Sequence, residues 1–355
     1  MVNRMLEFIE EYFSKIPDIP SKGINNDING GISNDLSNDE SNDESNDESN
    51  ESNESNESNE MREMVQSRRL FHGRGKSFSA HDVCLDQLSI DLFHPVIVVT
   101  IFEPLSDEKE QALLFFLKRQ LIRLSCNCLL VQRRFQKPVC FDVIEGQVPD
   151  KFVAVRDQSQ YKLSLSQQNL GFFLDIEPAR KWLSARSKDA NILNLFSYTC
   201  TFSVVAVAAG ATQVINMDLS SKSLNVGRDN HRINSLDVSH AKFFAHDVLR
   251  SWSKLKKFGP YDCIIVDPPS FQKGSFVAGK DYPKMLRRFS SLAKEGTEIL
   301  LCLNSPEWKC AEFRELIDSA LEGFKFVERL VQSSEFPDAD EERALKMLVY
   351  KAYSA

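Results

Sequence analysis

Residues 261–271 read Tyr-Asp-Cys-Ile-Ile-Val-Asp-Pro-Pro-Ser-Phe, and no other stretch restricts the fold as tightly. Cys263 to Val266 is an apolar run with the length and β-branched content of a buried strand. It stops at Asp267, where Pro268 and Pro269 can neither extend a ladder nor enter a helix interior. The chain is thereby held open, with a carboxylate and an aromatic ring, Phe271, at the strand's carboxyl end. In open α/β sheets that edge is where ligands bind.

The surroundings supply such a sheet. From Gln167 onward, strands expected at Ile192 to Phe196, Gln213 to Asp218, Lys242 to His246, Cys263 to Asp267 and Glu298 to Asn304 alternate with helices that include Phe202 to Ala209 and Lys222 to Ile233. This order predicts a doubly wound α/β fold with a parallel sheet. Lys325 to Val331 and Lys346 to Tyr353 follow each other too closely for a parallel crossover, so they are expected as an antiparallel pair.

Upstream, residues 61–165 read as a small α+β domain, ahead of the α/β domain at 166–355. Its expected elements are strands at Pro95 to Phe102 and Cys128 to Arg134, a helix at Glu108 to Leu124, and short strands at Val139 to Glu145 and Phe152 to Arg156. Residues 1–60 are set apart as a short amphipathic helix, Arg4 to Lys15, and a disordered acidic linker. Residues 33–60 repeat Ser-Asn-Asp-Glu and Ser-Asn-Glu, with 11 acids and no Lys or Arg. So polar a tract cannot bury enough surface to offset the entropy of ordering. A functional alternative is an acidic tail that imitates nucleic acid; tolerated expansion of an unstructured segment is preferred.

The tract also distorts the formal charge of -8. Without it, 43 basic residues face 40 acidic ones, a balance that permits nucleic-acid binding without demanding it. No run has the apolar length of a membrane span and the N-terminus lacks a signal-peptide core, which points to the cytoplasm. Eight cysteines fit that compartment as free thiols. Cys84, Cys126, Cys128 and Cys140 form no paired zinc pattern, and no metal site is expected.

Acids recur at strand ends. Asp218 closes the second strand, 24 residues after Asn194, where dinucleotide-type sheets place a carboxylate for ribose hydroxyls. Asp247 follows the third strand and Asp267 the fourth. Each alone reads as a turn residue; three at neighbouring strand ends point to a site, because clustered buried acids are costly without partners. The first loop, Ser197-Tyr198-Thr199-Cys200, lacks the glycine pattern that cradles a pyrophosphate, which disfavours a nicotinamide dehydrogenase.

Taken together, Gly171-Phe-Phe-Leu-Asp175 with Arg180, Leu193-Asn-Leu-Phe-Ser-Tyr-Thr-Cys200, Asp218, Asp247 and Asp267-Pro-Pro-Ser-Phe271 resemble the class I, Rossmann-like methyltransferases that modify 23S ribosomal RNA at cytosine C5 or guanine N7. The resemblance covers roughly half the chain. Gly227-Arg-Asp-Asn-His-Arg-Ile-Asn234, Ser270-Phe-Gln-Lys-Gly-Ser-Phe276 and Arg68-Arg-Leu-Phe-His-Gly-Arg-Gly75 resemble a bacterial subgroup of that family. The resemblance implies S-adenosyl-L-methionine as cofactor and RNA, 23S ribosomal RNA in particular, as partner. It implies that Phe196, Ser197, Tyr198 and Thr199 line the methionine and ribose portion, that Asp218 binds the ribose and that Asp247 meets the adenine amino group. Asp175 and Arg180 would sit near the cofactor's amino-acid end. Thr201 is a departure, standing where relatives commonly carry glycine.

The acceptor atom divides the family. Cytosine C5 is not nucleophilic, so its methylation needs a cysteine thiolate that first attacks C6. The cytosine-modifying relatives carry that cysteine just after the fifth strand; this chain has Asn304-Ser305 there, and Cys302 lies deeper in the strand. A ring nitrogen such as guanine N7 already has a lone pair, so positioning and electrostatics suffice. The expected catalytic group is Asp267, Pro268, Pro269 and Phe271, holding a flipped-out base, with Asp267 accepting a hydrogen bond from its edge. Phe271 either stacks on that base or plugs the core beneath the loop; stacking is preferred. Arg68, Arg69, Arg74, Lys76, Arg133, Arg134, Lys273 and Lys280 are candidate RNA contacts. Competing functions are a small-molecule or protein methyltransferase and a non-catalytic RNA-binding protein with a decayed cofactor pocket.

Overall fold

The computed structural model describes residues 2–19, 64–75, 85–269, 271–272 and 276–353, with residues 271 and 272 described by their backbone alone. The acidic repeats at 33–60, Cys84, Lys76, Lys273 and the ring of Phe271 lie outside the described residues.

Two sheets organise the chain. The first has five strands, β1 (Arg68–His72), β2 (Leu88–Phe93), β3 (Val96–Ile101), β4 (Cys128–Arg133) and β5 (Phe141–Gly146), in sequential order. All its neighbours are antiparallel except β3 and β4, which run parallel and are joined by α2 (Asp107–Arg123). That helix starts on a Ser106 cap, carries Asp107, Glu108 and Glu110 in its first turn and Arg123 in its last. Both biases complement the helix dipole.

The N-terminal helix α1 (Val2–Ser14) buries Met5, Ile9 and Phe13 in the core beneath this sheet. Arg123 donates to the carbonyls of Phe13 and Ile16, satisfying acceptors that the end of α1 leaves open. Grouping this helix with the linker therefore separated it from the core it completes. The apolar spacing revealed the helix but not the surface it covers. β1, β2 and a strand at Ser159–Lys162 were not foreseen. Asp91 and Arg69 place an ion pair within β1 and β2, which interrupts the apolar signature of a buried sheet.

A hairpin, β6 (Val153–Arg156) and β7 (Ser159–Lys162), leads to α3 (Glu177–Ser184) and the second sheet. Its strands are β8 (Asn191–Leu195), β9 (Gln213–Asp218), β10 (Ala241–Ala245), β11 (Tyr261–Val266), β14 (Ala293–Leu303), β15 (Phe324–Arg329) and β16 (Lys346–Ala352). The two-residue strands β12 (Phe271–Gln272) and β13 (Phe276–Val277) form a separate ribbon. Strand order is β10-β9-β8-β11-β14-β16-β15. The first five are parallel, and β16 inserts antiparallel between β14 and β15. The expected C-terminal pair is thus present, with its later strand on the inside.

Helices α4 (Thr201–Ala208), α5 (Ser221–Arg232), α6 (Trp252–Phe258), α7 (Ala278–Leu286) and α8 (Cys310–Asp318) complete the second unit. Apolar clusters lie on both faces of the sheet, so its strands are nearly continuously apolar, as Cys263 to Val266 is. From β8 the chain winds outward to β10, then returns across β8 to β11. Between β8 and β11 lies the topological switch point, where doubly wound sheets bind ligands. Among the described residues no helix is long and apolar enough to cross a membrane.

Candidate active site

At that switch point a cavity of about 750 Å³ opens over the carboxyl ends of the parallel strands. Ten of the expected residues line it: Asp175, Phe196, Ser197, Tyr198, Thr199, Asp218, Asp247, Asp267, Pro268 and Pro269. Thr201 and Asn304 line it as well.

The loop between β8 and α4 is unusually bent. Phe196, Tyr198 and Cys200 have φ of 56°, 46° and 60°, in the left-handed region where side chains cost about 1–3 kcal/mol each. Several bonds hold it there. The Tyr198 amide donates to Asp218 Oδ2 at 2.9 Å, and the Ser220 amide donates to Asp218 Oδ1 at 2.8 Å. Thr199 Oγ1 donates to the Gly171 carbonyl at 2.6 Å, and Tyr198 Oη donates to the Asn169 carbonyl at 3.3 Å. Asp218 is therefore both a strand-end carboxylate and the clip that sets the loop.

The Gly227–Asn234 segment supports this loop from behind. A Cβ on Gly227 would stand 2.5 Å from Cys200 Sγ and 2.9 Å from its Cβ, so glycine lets α5 approach the bend. Asn230 Nδ2 donates to the Thr199 carbonyl at 2.9 Å, while its Oδ1 accepts from the Lys162 amide at 2.8 Å. Asn234 pairs with both backbone groups of Gln160 at 2.7 Å, as a neighbouring strand would. The motif thus fastens the β6–β7 hairpin and the bent loop to one helix. Deeper still, Asn194, Asn216, Ser203 and His231 form a buried chain with contacts of 2.9–3.0 Å.

Asp247 caps the turn after β10, its Oδ1 accepting from the Leu249 amide at 2.8 Å. Asp267 differs. Among the described residues it has no hydrogen-bond donor, and burial together with the charge of Asp175 pushes its carboxyl up to about 7. Burial also raises Asp175, against the pull of Arg69 and Arg180. The Asp267 turn is anchored by Tyr282, whose hydroxyl lies between the carbonyls of Val266 and Cys302, one at each strand end. Cys302 itself is fully buried, and burial followed by the charges of Asp267 and Asp175 holds its thiol well above the ordinary range. No cysteine lines the cavity among the described residues.

Arg180, expected near the cofactor's amino-acid end, stands behind the cavity wall. It is fully buried and does not line the cavity. Its Nε bonds Asp157 at 2.6 Å, its Nη1 the Phe173 carbonyl at 2.8 Å, and its guanidinium lies 4.5 Å from the Phe172 ring. It braces the wall that carries Phe173 and Asp175. Arg69 and Arg133 were candidate RNA contacts, but their charges are taken up internally, by Asp91 and by Glu110 and Asp142. Sequence reasoning also missed Gln167, Asn169 and Phe173 as one side of the cavity. The Gly171–Asp175 cluster was the signal that this stretch mattered.

The residues present fit S-adenosylmethionine. Two strand-end carboxylates, Asp218 and Asp247, face a cavity of small-molecule size. Ser197 lines it too, with its hydroxyl oxygen buried. No glycine-rich phosphate cradle is present in the loop, as a cofactor without phosphates allows.

Comparison with known proteins agrees. Ribosomal RNA large subunit methyltransferase I of Tolumonas auensis is 32% identical over 226 residues, which is 59% of this chain and 56% of that protein. The protein of the same name from Aeromonas salmonicida is 30% identical over 206 residues, 55% and 52%. The chain thus spans about half the length of the curated relatives it matches. The crystal structure of SMU.776, complexed with SAH, shares the fold with a TM-score of 0.73 at 23% identity, over 85% of this chain and 80% of that one. The model of the S-adenosylmethionine-dependent methyltransferase family matches residues 68–351, and the chain belongs to that family.

Proposed function

We propose that the protein methylates a base of ribosomal RNA, at a ring nitrogen such as guanine N7. The observation that carries this reading is the composition of the acceptor side. Asp267, Pro268, Pro269 and Asn304 face the same cavity as Asp218 and Asp247, whereas Cys302 is sealed in the core. S-adenosylmethionine, when bound, supplies an electrophilic methyl group on a sulfonium. A ring nitrogen takes that methyl with its own lone pair and needs no enzyme nucleophile. A buried thiol with a raised pKa is poorly suited to the thiolate chemistry that cytosine C5 requires.

The chain's contribution is then positional. Pro268 and Pro269 fix the backbone beside the base, and ionised Asp267 accepts a hydrogen bond from its edge. Asp175 and Asp218 frame the amino-acid and ribose ends of the cofactor, and Asp247 its adenine. The relatives' printed names, ribosomal RNA large subunit methyltransferase I and K/L, support RNA of the large subunit as substrate class. The test is methyl transfer from labelled cofactor to 23S RNA, followed by mass spectrometry of nuclease fragments. A labelled purine supports the reading; label on cytosine C5, or label that survives complete RNase digestion in protein, overturns it.

A further inference from the structure

β3 and β4 are the parallel pair in the first sheet, and Ile101 lies opposite Arg133 in their register. The next residues, Phe102 and Arg134, therefore emerge together at the carboxyl ends of two parallel strands. Arg134 lines the same cavity as Asp267, and its guanidinium lies 5.8 Å from the Phe102 ring. We propose that Phe102 and Arg134 form a subsite for the substrate RNA, holding a backbone phosphodiester beside the target nucleotide, with Asn169 orienting the guanidinium. This rests on the RNA reading above and adds a location and a chemistry to it.

Adjacent arginines make the case. Arg133 is held by Glu110 and Asp142, so its charge is neutralised within the fold. Arg134 is half-buried, yet among the described residues no carboxylate lies within ion-pair distance of it. Its side-chain partner is a neutral amide, Asn169 Oδ1, at 3.3 Å. Partly burying a cation beside an amide alone is unfavourable unless an anion completes it. Phe102 is 45% exposed, and Phe173, which lines the cavity, is 43% exposed. An exposed ring beside an uncompensated guanidinium suits a single strand, whose bases stack while its phosphate takes the charge.

Asn169 links this corner to the cofactor loop. Its carbonyl accepts from Tyr198 Oη while its side chain meets Arg134. The adjoining Gln168 carbonyl accepts from Gln132 Nε2 at 2.7 Å, tying the same loop to β4. A second anion could claim Arg134, the carboxylate of the cofactor's methionine portion. Phosphate is favoured because Arg134 extends from the first sheet next to an exposed ring, outside the bent loop that frames the cofactor.

The full chain, saturated with S-adenosylhomocysteine, is titrated with a fluorescein-labelled single-stranded RNA of mixed sequence at several salt concentrations. Arg134→Gln is expected to weaken binding about tenfold and to flatten the salt dependence by about 0.7 in logarithmic slope, one phosphate contact's share. Arg134→Lys should keep the wild-type slope. Phe102→Ala, at an exposed position, should lower affinity with the slope unchanged. S-adenosylhomocysteine affinity by calorimetry should be unaltered in all three. Unchanged RNA affinity and slope in Arg134→Gln overturns the subsite while leaving the RNA reading intact. Weakened S-adenosylhomocysteine binding with normal RNA binding assigns Arg134 to the cofactor and also overturns it. A wild-type protein that binds the cofactor product but no RNA defeats the RNA reading, and the subsite with it.

Discussion

The two sides of the cavity treat their carboxylates in opposite ways. On the side proposed to hold the cofactor, Asp218 accepts two backbone N–H groups and Asp247 accepts one from its own turn. On the side proposed to meet the base, Asp267 has no donor among the described residues, and Asp175 adds a second negative charge nearby. Carboxylates that accept backbone N–H groups make a frame that is set before any ligand arrives. A carboxylate without donors is held at a cost that its surroundings have not relieved. Such costs accumulate at sites where a ligand supplies the missing partner, which fits a frame for the cofactor facing a contact for the base.

The strongest separation of the two sides comes from single alanine replacements. Asp267→Ala is expected to lower the methyl-transfer rate by about 10²–10³, in the range of a lost transition-state hydrogen bond, with S-adenosylhomocysteine affinity within about twofold of wild type. Single-turnover kinetics and calorimetry read the two quantities separately. Loss of cofactor binding in a folded Asp267→Ala protein would move Asp267 to the cofactor side. Asp218→Ala should give the reverse pattern. It strands the Tyr198 and Ser220 amides, at about 1–3 kcal/mol each, and removes the proposed ribose contact. The expected loss is about 10–100-fold in S-adenosylhomocysteine affinity, and saturating cofactor should restore most of the rate.

A smaller effect tests whether the frame depends on what lies behind it. Gly227→Ala drives a Cβ into Cys200, and overpacking of this kind costs about 1–3 kcal/mol. Thermal stability and cofactor affinity should both fall. Cys200→Gly removes both clashing atoms and suits the left-handed backbone at that position, so the double variant should recover much of the loss. No recovery would mean that Gly227 is needed for something other than room beside the bent loop.

How much of this was visible in the sequence depended on the range of the interaction. Strands and helices of the second sheet were legible because a doubly covered parallel sheet writes unbroken apolar runs, and Asp218, Asp247 and Asp267 mark their ends. Asp267 was legible as a cavity residue because two prolines fix the backbone after that position. The bracing bonds of Arg180 were not legible because its partners, Asp157 and the Phe173 carbonyl, are set by how a hairpin folds over α3. Nothing local distinguishes a buried bracing arginine from one that meets a ligand. Arg133 and Arg134 were likewise indistinguishable until Glu110 and Asp142 were seen to reach one and not the other. Gln167, Asn169 and Phe173 lacked a periodic pattern, and only the contact between the two sheets brings them to the cavity.

The subtlest test uses pH. In the folded protein the Asp267 carboxyl sits at about 7, above its ordinary value of 3.8. Between those values the folded state holds a proton that the unfolded chain has released, so this group's contribution to stability falls as pH rises from about 4 to 7. Asp267→Asn cannot ionise and escapes that loss. Without cofactor it should melt above wild type at pH 8, by about 2–4 °C for each kcal/mol relieved, with the difference shrinking towards pH 4. Activity runs the other way, because the ionised carboxylate is the stronger acceptor for a donor on the base's edge. Wild-type kcat/KM should rise with pH through about 7, and Asp175→Asn, which removes the neighbouring charge, should shift that rise to lower pH. Parallel melting curves for wild type and Asp267→Asn at both pH values would show that Asp267 is already compensated in the free protein. The contrast between the two sides of the cavity would then disappear.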